Sequence, residues 1–152
     1  MLKLYRLFLN TLELPIIIRI WCVAGLVLCP LTILLVVLPL FNWTIGGYQL
    51  SYREFWYCGT GLAMLVFGIV GTAGFWGMAA RIPATRWLLV LMPAAPTLVM
   101  ILYPGPCFVP ESLMNTDIAV SVQIHAFIIY ASLFHLPSIR RYFKLAGDSA
   151  QK

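Results

Sequence analysis

The sequence predicts an all-α membrane protein: a four-helix transmembrane bundle with short loops and both termini on one side. Three observations predict it. Hydrophobic residues make up 62% of the 152 residues and charged residues only 10%, against about half and about a quarter in an ordinary soluble domain. Four apolar stretches, at 20–41, 59–80, 85–103 and 118–136, have the length that crosses a hydrocarbon core of about 30 Å at about 1.5 Å of rise per residue. Basic residues recur before the first stretch, between the second and third, and after the fourth. The length suits one polytopic membrane domain over residues 1–152.

The segment before the first span carries Lys3, Arg6, Glu13 and Arg19 among Leu2, Leu4, Tyr5, Phe8, Leu9 and Leu12. It reads either as a short amphipathic helix lying in the membrane interface, ended or bent by Pro15, or as a basic lead without structure. The apolar run after Arg19 is longer than the h-region of a signal peptide, and no small-residue cleavage site follows it, so no cleaved leader is expected. Span 20–41 holds Pro30 and Pro39, each of which removes a backbone hydrogen bond that neighbouring helices must offset. Cys22 and Cys29 share one face and read as packing residues.

The connection that follows contains Trp43-Thr44-Ile45, Gly46-Gly47 and Tyr48-Gln49-Leu50. That pattern predicts a hairpin, with Gly-Gly supplying the positive φ angles of a type I′ turn. Trp43, Tyr48, Tyr52, Trp56 and Tyr57 cluster here, as aromatic rings do at a membrane boundary.

Span 59–80 is the expected centre of the bundle. It has no charge and no proline, and Gly68, Gly71, Gly74 and Gly77 recur every third residue. Small residues four apart, such as Gly68 with Thr72 and Ala73 with Gly77, let helix backbones approach closely in lipid. Gly68, Gly71, Thr72, Ala73 and Gly77 are therefore the candidate packing residues. A tight basic turn follows at 81–86, where Pro83 breaks the helix and Thr85 is placed to cap the next. Span 85–103 contains Pro93 and Pro96 and is the most irregular of the four. Pro104, Gly105, Pro106 and Pro110 forbid a helix over most of the second connection. Thr116 or Asp117 then caps span 118–136, which Pro137 closes. The tail beyond Pro137 is basic, and its last residues are expected to be disordered.

Nine of the ten basic residues fall on one side of this arrangement. Arg53 alone falls on the other, with Glu54, Glu111 and Asp117. The positive-inside rule puts both termini and the 81–86 turn in the cytoplasm. A cell inner membrane is the most economical location. The net charge of +5 sits in flanks of apolar spans, with no soluble basic face, so no nucleic-acid partner is expected. The partners expected are the lipid bilayer and either another membrane protein or a second copy of the chain.

Candidate chemistry is sparse. Asp117, Ser121, His125 and Ser132 form a polar stripe within an arc of about 80° on the fourth span, at 3.6 residues per turn. Gln123 and Tyr130 lie together on another face. An ionisable group inside a span is costly in lipid and is expected to face protein or water. Three roles compete for His125: a haem ligand, a relay with Asp117 in proton or quinone chemistry, or a neutral side chain hydrogen-bonded across the bundle. His125 and His135, the two histidines of the chain, lie about 15 Å apart along one helix and cannot bind one iron from opposite faces. Cys58 and Cys107 both fall at the outer boundary and form a candidate disulfide. The absence of a C-x-x-C pair argues against a membrane thiol oxidoreductase. No P-loop, HExxH or GxSxG motif and no carboxylate cluster is present. The reading is therefore a non-enzymatic membrane protein with no metal or cofactor, acting through helix packing and its outer loops as an accessory subunit or an immunity-type protein against a membrane-active toxin. The alternative is a redox or transport component using His125.

Overall fold

A computed structural model describes residues 9–40, 42–45, 48–102 and 116–149. Residues 9–12 are helical and end in a turn at Glu13 and Leu14. Helix α1 spans Ile16–Val37. It starts earlier than the apolar run because Pro15 takes the N-cap position, and its carbonyl accepts from the Arg19 N–H at 2.8 Å. It also stops earlier. Leu38 precedes Pro39 and is extended, with φ −87° and ψ 130°, because the proline ring disfavours helical backbone in the residue before it. Pro39 therefore lies beyond the first span, not within it, while Pro30 is inside the helix.

Strands β1 (Trp43–Ile45) and β2 (Tyr48–Leu50) pair antiparallel, with Thr44 opposite Gln49. Helix α2, Tyr52–Tyr57, follows with a capping box: Ser51 accepts from the Glu54 N–H, and the Glu54 carboxylate accepts from the Ser51 N–H at 2.9 Å. The Tyr52 hydroxyl donates to the Val37 carbonyl at 2.7 Å, tying α2 to the end of α1. Gly59 then turns the chain at φ 76°, in the left-handed region that favours glycine.

Helix α3, Thr60–Ala79, is the centre of the molecule and packs against α1 along most of its length. The pairing is antiparallel: Phe75 lies at Gly25, Gly71 at Cys29 and Gly68 at Ile33. A 3-10 turn at Pro83–Thr85 leads to α4 (Arg86–Leu91) and α5 (Ala94–Leu102). The third apolar stretch is thus two short helices. Pro93 and Pro96 have no N–H to offer the turn before them, and two missing bonds so close together break the rod. Thr85 does not cap α4 with its side chain. Its hydroxyl donates to the Ile82 carbonyl at 2.6 Å instead.

Helix α6 spans Thr116–His135, and α7, Pro137–Ser149, turns away from it by 63°. The basic tail is therefore largely a helix. Its apolar residues Ile139, Tyr142 and Phe143 stand at the spacing that makes one helical face, and all three are buried.

Among the described residues, α1 and α3 are each long and apolar enough to cross a membrane, and α6 joins them if counted with the start of α7 as one bent element. The connection at 103–115 lies outside the described residues. The buried core gathers where α1 begins, α3 ends and α7 lies: Leu14, Ile18, Cys22, Phe75, Met78 and Tyr142 belong to it. We call this the basic end, and the opposite end, with β1, β2 and α2, the hairpin end.

Candidate functional site

The glycines of α3 are used inside the chain. A Cβ at Gly68 would stand 2.7 Å from the Ile33 side chain, and one at Gly71 would stand 2.6 Å from the Cys29 sulfur and 2.9 Å from that of Met92. Gly74, absent from the predicted packing set, lies as close to Leu89, and Gly77 faces the Thr85 side chain. Thr72 is half-buried, and its hydroxyl donates to the Gly68 carbonyl at 2.7 Å. Ala73, one turn before Gly77, is exposed, at the edge of the ridge that carries Gly71, Gly74 and Gly77 inward. On the facing helix the sequence reading missed Gly25, where a side chain would overlap the Phe75 ring. Phe75 also takes Trp21 edge-on at 4.8 Å.

The basic end holds a cluster that the sequence did not reveal. Helix α3 finishes with the Ile82 N–H on the Gly77 carbonyl at 2.8 Å and the Arg81 N–H on the Met78 carbonyl at 3.1 Å. These are the two bonds of a Schellman motif, whose left-handed position is usually glycine. Here it is Arg81, at φ 60°, a conformation that costs an ordinary side chain about 1–2 kcal/mol. The Arg81 side chain offsets the strain through partners from both ends of the chain. It forms a salt bridge with Glu13, and its guanidinium sits 4.8 Å over the Tyr142 ring. Tyr142 in turn donates its hydroxyl to the Met78 carbonyl at 3.0 Å. Burial pushes the Tyr142 phenol up to about 12, so it remains a donor at neutral pH. Asn10 donates its amide to the Ala79 carbonyl at 3.0 Å. Arg19 donates to the Leu12 and Leu14 carbonyls. Arg86 stands 4.5 Å over Phe134 and 4.8 Å over Phe143. Two arginines thus bind residues 10–13, the end of α3, the end of α6 and the face of α7 into one unit.

The polar stripe of α6 is placed differently. Ser121 and His125 are exposed and Ser132 is half-buried. Asp117 is helical in its backbone, and its side chain lies outside the described ones. His125 Nδ1 lies 2.7 Å from the Ser121 carbonyl of its own helix. A carbonyl can only accept, so Nδ1 carries the proton; in the neutral tautomer that has it, Nε2 is an acceptor. Among the described residues the histidine makes no hydrogen bond to another helix. The side of α6 that meets the bundle is formed by Val122, Ala126, Ile129, Tyr130 and Leu133, with Leu133 fully buried. Gln123 is exposed on another flank. No group of three or more His, Cys, Asp or Glu side chains that could hold a metal occurs among the described residues.

At the hairpin end, Phe55 of α2 is fully buried while Thr44, Gln49, Arg53 and Glu54 are exposed. The Ser51 hydrogen bonds hold the Glu54 carboxyl below its ordinary range. Cys58 is buried and disulfide-bonded, whereas Cys22 and Cys29 are buried free thiols. Cys107, the partner expected for Cys58, lies outside the described residues. No protein-family model matches this chain, and no curated protein or solved structure is similar to it.

Proposed function

We propose that this chain is a non-enzymatic, multi-pass protein of a cell inner membrane that acts by contact with a partner, as an accessory subunit or as an immunity-type protein against a membrane-active toxin. In this reading it is a four-helix transmembrane bundle. Helices α1, α3, the broken pair α4 and α5, and α6 are its crossings, and the basic end with both termini faces the cytoplasm. The distribution of the arginines and lysines supports that orientation. The observation that carries the functional reading is the ordered element at the hairpin end. Two paired strands and a capped helix present Thr44, Gln49, Arg53 and Glu54 outward, with buried Phe55 and the Tyr52 hydroxyl on the Val37 carbonyl among their anchors. A fixed polar surface held on a rigid base loses little entropy on binding a partner. A bridge from Cys58 to Cys107 would fix the second outer connection to the same base. Alkylation before reduction should leave both of these cysteines unlabelled while Cys22 and Cys29 react in denaturant; full labelling of all four removes the bridge.

The test of function is a photo-crosslinking residue at Gln49 in living cells. The result expected is a covalent adduct with one other envelope protein, lost when Arg53 and Glu54 are both replaced by Ala. A second reading, a redox or transport component, draws on the free Nε2 of His125. The visible spectrum and quinone content of the purified protein decide between the two. A haem band or stoichiometric quinone overturns the partner-binding reading.

A further inference from the structure

Helix α6 carries polar side chains on the side that faces away from the bundle. Ser121 and His125 are exposed, and so are the large apolar residues Ile124, Phe127 and Ile128. His125 is the tenth residue of the twenty in α6, about 14 Å along the axis from its start. If α6 crosses the membrane, as the proposed function reads it, His125 Nε2 lies near the middle of the hydrocarbon. A polar atom there needs a hydrogen-bond partner, and lipid tails have none. The His125 ring turns its other nitrogen to its own helix, so the donor for Nε2 must come from elsewhere.

We infer that a second copy of this chain covers this face, with α6 against α6 across a two-fold axis along the membrane normal. Ser121, Ile124, His125 and Ile128 recur at steps of three and four, the spacing that forms a seam between two helices. All four are exposed, so the seam is unused within one chain. The seam is also self-complementary. Each copy offers the Ser121 hydroxyl as a donor and the His125 Nε2 as an acceptor, one turn apart. A copy related by such an axis has the same direction and the same depth, so its Ser121 lies one turn from this chain's His125, an offset toward which the ring already leans by meeting the Ser121 carbonyl of its own helix. Polar side chains that bond across helices in this way are a common means of holding transmembrane helices together.

The full chain in native membranes tests this. A photo-crosslinking residue is placed at Ile124 or Ile128 on the seam, or at Val27 on the exposed side of α1. Illumination should give an adduct of twice the chain mass from the two seam positions and little from Val27. The double variant Ser121→Ala, His125→Leu should reduce the seam adduct several-fold with no change in the amount of membrane-inserted protein. Adducts only with other proteins, equal yield from Val27, no adduct, or no response to the double variant each overturn the inference. A topology reporter at Lys152 in the same cells separates this failure from failure of the underlying reading. An external reporter shows that the four-crossing arrangement is wrong. A cytoplasmic reporter with no seam adduct shows that only the pairing is wrong.

Discussion

At the basic end, Arg81 and Arg86 each stand over aromatic rings, and the carbonyls of Met78 and Ala79 where α3 ends accept hydrogen bonds from Tyr142 and Asn10. On the outer side of α6, His125 Nδ1 meets the Ser121 carbonyl and hydroxyl of its own helix, and no bond from either residue to another helix occurs among the described residues. Both regions put polar atoms beside apolar ones. At the basic end the partners come from segments about 50 to 70 residues apart in sequence, so the chain closes its own polar groups there. On α6 Ser121 and His125 stay exposed.

The largest expected effect lies along the glycine ridge of α3, against α1 and α4. Gly71→Leu should destabilise the protein by about 3 kcal/mol or more, because the side chain must displace both Cys29 and Met92. Ala73→Leu should change little, since Ala73 is exposed. Thermal unfolding in detergent compares the two, and equal losses would show that α3 does not use one face for packing.

The next effect separates strain from attraction at Arg81. Arg81→Ala keeps the left-handed backbone and removes the Glu13 pair and the Tyr142 stacking. Arg81→Gly removes the same contacts and relieves the strain. Gly should therefore be the more stable variant by about 1–2 kcal/mol, again by thermal unfolding. Should Ala equal Gly, the Schellman geometry at this position is not formed.

The smallest effect lies at the hairpin end. Ser51→Ala removes the N-cap of α2 and should cost about 1 kcal/mol, visible as faster amide exchange over 52–57 with little change in global melting. The pH dependence has a defined sign. The folded Glu54 carboxyl titrates below its unfolded value, so its contribution is present above the ordinary carboxylate range and is lost as pH falls through the lower folded value. Protection of the α2 amides, taken relative to their intrinsic exchange rates at each pH, should fall on acidification in the parent and change less in Ser51→Ala.

Much of this was legible in the sequence, and the gaps have physical reasons. Apolar runs marked α1 and α3, but prolines set the ends: Pro15 starts α1 and the residue before Pro39 stops it. Helix α7 escaped a reading based on hydropathy because its polar face lowers the mean, although Ile139, Tyr142 and Phe143 carried the helical spacing. A helical wheel collected Ser121, His125 and Ser132 on one side of α6 without saying which side meets the bundle. The contacts of Arg81 with Glu13 and Tyr142 were beyond any local pattern, since sequence spacing says nothing about segments that meet only after the helices pack.

In the proposed arrangement the basic end and the hairpin end face opposite sides of a membrane. Reporter fusions test it most directly, at Lys152, within the 81–86 turn, and at Gln49. The account predicts cytoplasmic signals from Lys152 and the 81–86 turn and an external signal from Gln49. A C-terminal reporter that reads external, or a Gln49 reporter on the same side as Lys152, would contradict it.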